Sequence, residues 1–220
     1  MQIVFKHLSK NYGLISALKD IDFTVKSGEF VFLSGPSGSG KTTIMKLILS
    51  QIQPSQGDIL IGEYALSGAK KKDIDDIRKK IGVIFQDYQL VADKSLEENI
   101  ALVLDIVDYP DQKIQSRIDQ VIEQVGLSNR RFLYPSQLSG GELQRAALAR
   151  ALAIEPKIIL ADEPTGNLDS KNSWNLVKLL KEINQKNHCT IIMSTHDDDI
   201  VKSLGKRVIS LKKGQIINSP

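Results

Sequence analysis

Eight residues, Gly35-Pro36-Ser37-Gly38-Ser39-Gly40-Lys41-Thr42, constrain this chain more than any other stretch. Before them, residues 30–34, apolar up to Leu33, read as a buried strand; from Thr42 and Thr43 onward the pattern is helical. Glycines let the joining loop curl so that successive N–H groups point inward at an anion. The helix N-terminus adds its dipole, and Lys41 has the length to reach β- and γ-phosphates. The Thr42 hydroxyl suits Mg²⁺. Glycine, four residues, then Gly-Lys-Thr arises by chance on the order of once per hundred chains of this length. The flanking strand and helix make chance rarer still, so the loop implies bound ATP.

The rest of the chain is ordinary enough to let that loop dominate. At 220 residues it can bury a core without disulfide staples, and its one cysteine, Cys189, excludes an internal disulfide. Its 29 basic and 26 acidic residues leave a formal charge of +3, too mild to argue for nucleic acid. Residues 1–13 lack the apolar centre of a signal peptide, and the apolar run 100–104 stops at Asp105, far short of the ~18 residues of a membrane span. Any membrane role is therefore expected through a partner.

Short β-rich runs fall at 3–6, 21–25, 30–34, 59–61, 82–85, 158–161, 190–194 and 208–211. Several are continuously apolar, as strands buried on both faces are. Helical patterns fall at 41–51, 96–107, 112–125, 141–153 and 172–186, and this alternation predicts a parallel α/β core. The early strands are separated by turn signals such as Lys26-Ser27-Gly28-Glu29, so that part is expected to be antiparallel. From Asp87 to Ile154 strand signals vanish, which predicts an inserted helical lobe.

Two more strands end in polar residues. In the run from Ile158 to Glu163, an apolar strand delivers Asp162 and Glu163, which alternation sends to different sides. Asp162 suits the Mg²⁺ shell, and Glu163 is placed to polarise the attacking water. The run from Thr190 delivers His196 to the same sheet edge, where ligands of parallel sheets bind, and a γ-phosphate contact follows. His7 and His188 have no such setting and read as surface residues.

Leu138-Ser139-Gly140-Gly141-Glu142, taken with the phosphate loop, Asp162-Glu163 and His196, resembles the nucleotide-binding subunits of ATP-binding-cassette (ABC) transporters. The resemblance covers essentially all 220 residues. It implies the P-loop ABC ATPase fold: a mixed α/β sheet core with an antiparallel β subdomain and an inserted helical lobe. The single domain, 1–220, would divide into a core of 1–86 and 155–220 and a lobe of about 87–154. Tyr12 matches the aromatic that stacks on adenine. Gln86, after Val83-Ile84-Phe85, matches the glutamine between core and lobe and implies a part in hydrolysis and in holding the metal. Asn167-Leu168-Asp169 matches the loop that crosses the dimer interface, bringing Asp169 toward nucleotide.

Ser139 with the N–H groups of Gly140 and Gly141, opening a helix backed by Glu142, makes a second anion site. On an inserted lobe it cannot reach its own phosphate loop. The resemblance therefore implies a two-fold homodimer holding each ATP between one subunit's phosphate loop and the other's signature. Leu143 departs from the glutamine usual after the signature and is expected to face away from phosphate.

The segment from Ala161 to Asp169 is similar to a subgroup that includes cell-division, lipoprotein-release and macrolide-export subunits, and the short lobe with residues 85–90 and 93–99 resembles the cell-division type most of all. That likeness implies an integral membrane partner, a place at the cytoplasmic face of the membrane, and coupling of cytosolic ATP to cell-wall hydrolysis outside. A docking groove is expected near 86–100, with Tyr88, Leu90, Val91 and Leu96 as exposed apolar residues. A soluble cassette without membrane partner fits the Asn167-Leu168-Asp169 segment and the short lobe less well. A non-hydrolysing switch is opposed by the joint presence of Lys41, Asp162, Glu163 and His196. The basic stretches 70–72 and 78–80, balanced by Asp73, Asp75 and Asp76, read as a solvated helix face. Cys189 reads as a small apolar filler and Trp174 as packing.

Overall fold

The computed structural model describes residues 1–218, so the last two positions of the expected domain, Ser219 and Pro220, lie outside the described residues. Two sheets form. The first joins β1 (Ile3–Tyr12), β2 (Ile15–Val25), β4 (Gln56–Ile61) and β5 (Tyr64–Ala65) in the order β2-β1-β4-β5, with every pairing antiparallel. The second has the order β10-β9-β3-β8-β7-β6. In it β3 (Phe30–Ser34), β6 (Ile81–Phe85), β7 (Ile158–Asp162), β8 (Thr190–Thr195) and β9 (Arg207–Lys212) run parallel, and β10 (Gln215–Asn218) is antiparallel at the edge.

The continuous apolar runs are explained by what lies on each face of the second sheet. Phe30, Phe32, Ile159, Ala161, Ile191 and Met193 enter one hydrophobic core with the helices of the lobe. Their neighbours Val31, Leu33, Ile158, Leu160 and Ile192 enter the other, against α1 (Lys41–Ile48) and the antiparallel sheet. With period-2 alternation, a strand covered on both sides has no position left for a polar residue. Polarity gathers at the strand ends, with Thr190 and Arg207 opening β8 and β9, and the cavity forms over the carboxyl ends.

Between β6 and β7 the chain makes helices only: α3 (Leu96–Ile106), α4 (Asp111–Gln124) and α5 (Gly140–Ala153), with two short 3₁₀ turns. Helix α5 is built from buried alanines and lies close enough to β6 that a Cβ on Gly82 would stand 2.6 Å from the Ala151 carbonyl. Only glycine permits that approach. Helix α6 (Ser170–Asn187) follows β7, and its Trp174 packs against the lobe-side core while Cys189 just beyond it is buried. Four elements went unread in the sequence: β5, α2 (Lys71–Arg78), α7 (Asp198–Leu204) and β10. Among the described residues no helix is long and apolar enough to cross a membrane.

Candidate functional site

The phosphate loop joins the central strand β3 to α1. Gly35 has φ 150° and Gly40 has φ 113°, both left-handed. A Cβ on Gly35 would lie 2.3 Å from the Leu211 carbonyl, and one on Gly40 would lie 2.6 Å from the Leu18 side chain. The loop therefore needs glycine there for both torsion and space. Its turn closes through Ser39 N–H donating to the Pro36 carbonyl, and Gly214 N–H donates to the Ser39 carbonyl. Ser39 Oγ is buried without a hydrogen-bond partner. A cavity of about 670 Å³ opens over the loop, lined by Ala17, residues 36–43, Gln86, Glu163 and His196.

Inside the cavity, Lys41 Nζ donates to the carbonyls of Gly35 at 2.7 Å and Pro36 at 3.3 Å and lies 3.2 Å from Glu163 Oε1. Glu163 Oε2 meets His196 Nδ1 at 2.6 Å. A carboxylate only accepts, so that ring proton sits on Nδ1. Lys41, Glu163 and His196 are thus one chain of contacts spanning α1, the end of β7 and the end of β8.

Asp162 and Glu163 do part, as alternation predicts, but strand geometry is only half the reason. β7 ends at Asp162, and Glu163 has φ 47°. That left-handed step swings Glu163 toward Lys41. Asp162 stays in register opposite Ser194, whose buried hydroxyl donates to Asp162 Oδ1 at 2.6 Å. Ser194 Oγ in turn accepts from Glu163 N–H at 2.8 Å. Ser194 thus holds the Asp162 carboxylate and the Glu163 backbone together, and nothing in the linear pattern singles it out.

Gln86 enters the cavity from the end of β6. Its side-chain amide approaches Asn167 Oδ1 at 3.5 Å, and Asn167 Nδ2 donates to the Gln86 carbonyl at 3.0 Å. Asp169 caps α6, accepting from Asn172 N–H at 2.8 Å and Asn172 Nδ2 at 2.7 Å, and these bonds hold its pKa below the usual carboxylate value. Tyr12 is half exposed at the tip of the β1–β2 hairpin and does not line the cavity.

The signature residues stand elsewhere, at the N-terminus of α5. Ser139 is the N-cap, its Oγ accepting from Glu142 N–H at 3.4 Å. The Glu142 carboxylate accepts from Ser139 Oγ at 2.7 Å, Ser139 N–H at 2.9 Å and Arg130 Nε at 2.7 Å. Those donors, the Ser139 hydroxyl first, pull its pKa down to about 2. Ser139, Gly140, Gly141 and Glu142 do not line the cavity over the phosphate loop. The N-terminus of α5 and the loop after β3 are thus separate surfaces of the chain. Leu143 is partly buried against the lobe-side core.

The expectation of an exposed apolar patch at 86–100 is corrected in part. Leu96 is 2% exposed, because Ser95 and Glu98 form a capping box that turns Leu96 inward as the first residue of α3. Tyr88 and Leu90 are partly buried against the core. The apolar groove lies next door, a cavity of about 900 Å³ with Ile81, Val103, Ile106, Val107 and Ile154 on its walls. Lys71, Lys72, Arg78 and Lys79 border it together with Asp75 and Asp76, so the charges of α2 are mixed along its rim. Lys79 is paired with Asp108 at 2.6 Å, and Arg78 donates to the Leu49 and Ser50 carbonyls.

Known proteins fit this geometry. The profile of the ABC transporter family matches residues 18–166. The cell division ATP-binding protein FtsE of Bacillus subtilis is 41% identical over 216 residues, 98% of this chain and 94% of that protein. The methionine import ATP-binding protein MetN of Bordetella avium is 38% identical over 98% of this chain, which spans 60% of that protein. Among solved structures, a post-hydrolysis dimer of the ATP-binding cassette MJ0796 bound to ADP and Pi superposes with a TM-score of 0.89 at 35% identity, over 99% of this chain and 97% of that one. The chain belongs to the ABC transporter family and is one of its ATP-hydrolysing cassettes.

Proposed function

We propose that this ATPase is the peripheral cassette of a cell-division complex, working at the cytoplasmic face of the membrane with an FtsX-like integral membrane permease. In this reading it passes ATP-driven motion across the membrane rather than carrying a solute. The likeness to FtsE over nearly the whole length of both chains supports it. The observation that carries the catalytic part is the contact chain Lys41–Glu163–His196 over a glycine loop.

ATP entering the cavity competes for Lys41. As Lys41 turns to the β- and γ-phosphates it leaves Glu163 Oε1, and that oxygen becomes free to accept a proton from the attacking water. His196 keeps Oε2 through Nδ1–H and so holds the carboxylate in place. The backbone N–H groups of residues 37–43 cradle the phosphates. Tyr12 supplies the stacking surface for adenine. Thr42, Gln86 and Asp162 offer a hydroxyl, an amide carbonyl and a carboxylate, a hard oxygen set that fits Mg²⁺ held jointly with phosphates. When bound, Mg²⁺ neutralises phosphate charge.

The signature surface, remote from the loop in its own chain, serves the ATP of a second copy. The homodimer has two-fold symmetry, and Asp169 lies where the subunits cross. The dimeric MJ0796 cassette supports that arrangement. A cytoplasmic segment of the permease docks in the groove walled by Ile81, Val103, Ile106, Val107 and Ile154, where apolar walls meet a rim of mixed charge.

Two measurements test the reading. Glu163→Gln is expected to give an ATP-dependent dimer in light scattering, and adding Ser139→Arg returns it to monomer with ADP binding intact; full ATPase activity in a monomer refutes the shared site. Co-expressed with an FtsX-like permease, the wild-type chain is expected to be recovered with it from detergent extract and Ile106→Asp is not. The likeness to MetN favours one second reading, a solute-import cassette, and recovery with a methionine permease in place of the FtsX-like one selects it.

A further inference from the structure

The segment after Gln86 is bent in an unusual way. Tyr88 has φ 62° and Gln89 has φ 48°, two successive non-glycine residues in the left-handed region. L-residues resist that conformation, so a surrounding contact must hold it. The holder is α5. Arg150 donates from Nη1 to the Gln89 carbonyl at 2.5 Å and from Nη2 to the Tyr88 carbonyl at 3.0 Å. Two turns earlier on the same helix, the fully buried Gln144 donates from Nε2 to the Phe85 carbonyl at 3.4 Å. Carbonyls on both sides of Gln86 are therefore gripped by one helix.

Neither side chain has another evident purpose. No carboxylate lies within ion-pair distance of Arg150 among the described residues, and burial lowers its pKa. A sheltered guanidinium answered only by two carbonyls is a costly way to hold a turn. Gln144 Oε1 is buried with no hydrogen-bond partner. Simple apolar packing would serve stability better. What the arrangement does provide is a bidentate fork that fixes the direction of a backbone turn.

We infer that Arg150 and Gln144 are positioning residues that set Gln86 in the hydrolytic cavity by gripping the backbone on either side of it from the signature helix. The inference rests on the role of Gln86 proposed above. Because α5 also begins at Ser139, a shift of that helix moves Gln86 and the signature together.

A double-mutant cycle on kcat tests this, with ADP affinity and binding stoichiometry measured beside it. Arg150→Met is expected to lower kcat about tenfold, the low end for removing an outer-shell partner. ADP affinity stays at the wild-type value, since the phosphate loop is untouched. In the Gln86→Ala background the same change is expected to cost less than twofold, because its route is already gone. If the two losses multiply while Gln86→Ala alone impairs turnover, the inference is overturned and the role of Gln86 stands. If Gln86→Ala keeps wild-type kcat, that role fails and the inference falls with it. Should Arg150→Met not fold, Arg150→Lys, which keeps the charge but not the fork, is carried through the same cycle with the same criteria.

Discussion

Ser194→Ala isolates the residue that ties the two carboxylates together. The hydroxyl is fully buried on β8, donates to Asp162 Oδ1 at 2.6 Å and accepts from Glu163 N–H at 2.8 Å. A hydrogen bond to a charged group contributes about 1.5–3 kcal/mol, and one between neutral groups about 0.5–1.5 kcal/mol. The sum is about 2–4.5 kcal/mol, and because Asp162 keeps partial access to water the lower half of that range applies. For a chain of this size each kcal/mol moves the melting temperature about 2–4 °C, so calorimetry is expected to show a fall of about 4–12 °C. Turnover is expected to fall further than stability implies, by about 10–100-fold, since both Asp162 and the left-handed step at Glu163 lose their anchor. ADP binding persists because the Ser194 hydroxyl bonds to Asp162 and Glu163 and not to the loop. A variant that melts within about 2 °C of wild type and turns over normally would refute the claim that this hydroxyl organises the site.

Three further changes probe other contacts. Glu163→Gln removes the charge 3.2 Å from Lys41 and is expected to tighten ADP binding to the monomer about tenfold, or 1.4 kcal/mol, in calorimetric titration; unchanged affinity means that Lys41 is not restrained by Glu163. Gly82→Ala puts a Cβ 2.6 Å from the Ala151 carbonyl, and the overpacking is expected to cost about 1–3 kcal/mol in urea unfolding; a neutral result shows that α5 can move away from β6 freely. Glu142 has a folded pKa of about 2 against 4.5 otherwise, so its stabilisation is fully present above pH 4.5 and is lost as pH falls toward 2. Glu142→Gln is accordingly expected to be less stable than wild type at pH 7, with the gap narrowing below pH 4.5; a gap that stays constant with pH excludes the charge as its source.

Much of this was legible in the chain because period and punctuation carried it. Strands covered on both faces need apolar centres, and residues 30–33, 158–161 and 191–193 supply them; their polar carboxyl ends then mark the edge over which the cavity opens. Helix α2 was hidden because six of its eight residues are charged and only Ile74 and Ile77 can show a face. The burial of Leu96 does have a signal in the sequence: Leu96, Ile100 and Leu104 repeat at helical spacing behind the Ser95–Glu98 capping box, and all three are buried. Ser194, Gln144 and Arg150 were missed for a different reason. Their roles exist only through carbonyls, carboxylates and amides that the fold brings from 31 to 62 positions away, and a linear pattern holds no trace of such partners.

Helix α5 has a property that follows from its composition. Ala146, Ala147, Ala149, Ala151 and Ala153 are all buried, and alanine combines the strongest helix propensity with the smallest side chain. The result is a stiff rod that lies directly on β6 at Gly82, with little side-chain cushion to absorb a displacement. Its fourteen residues span about 21 Å. The signature stands at its start, Gln144 and Arg150 grip the Gln86 turn along its length, and its C-cap Ile154 lines the apolar groove. A rod pressed at one end moves as a body when its packing is tight on both sides. A partner seated in the groove would therefore act on both halves of the proposed ATP site at once, on Gln86 within its own cavity and on Ser139 toward the other copy's.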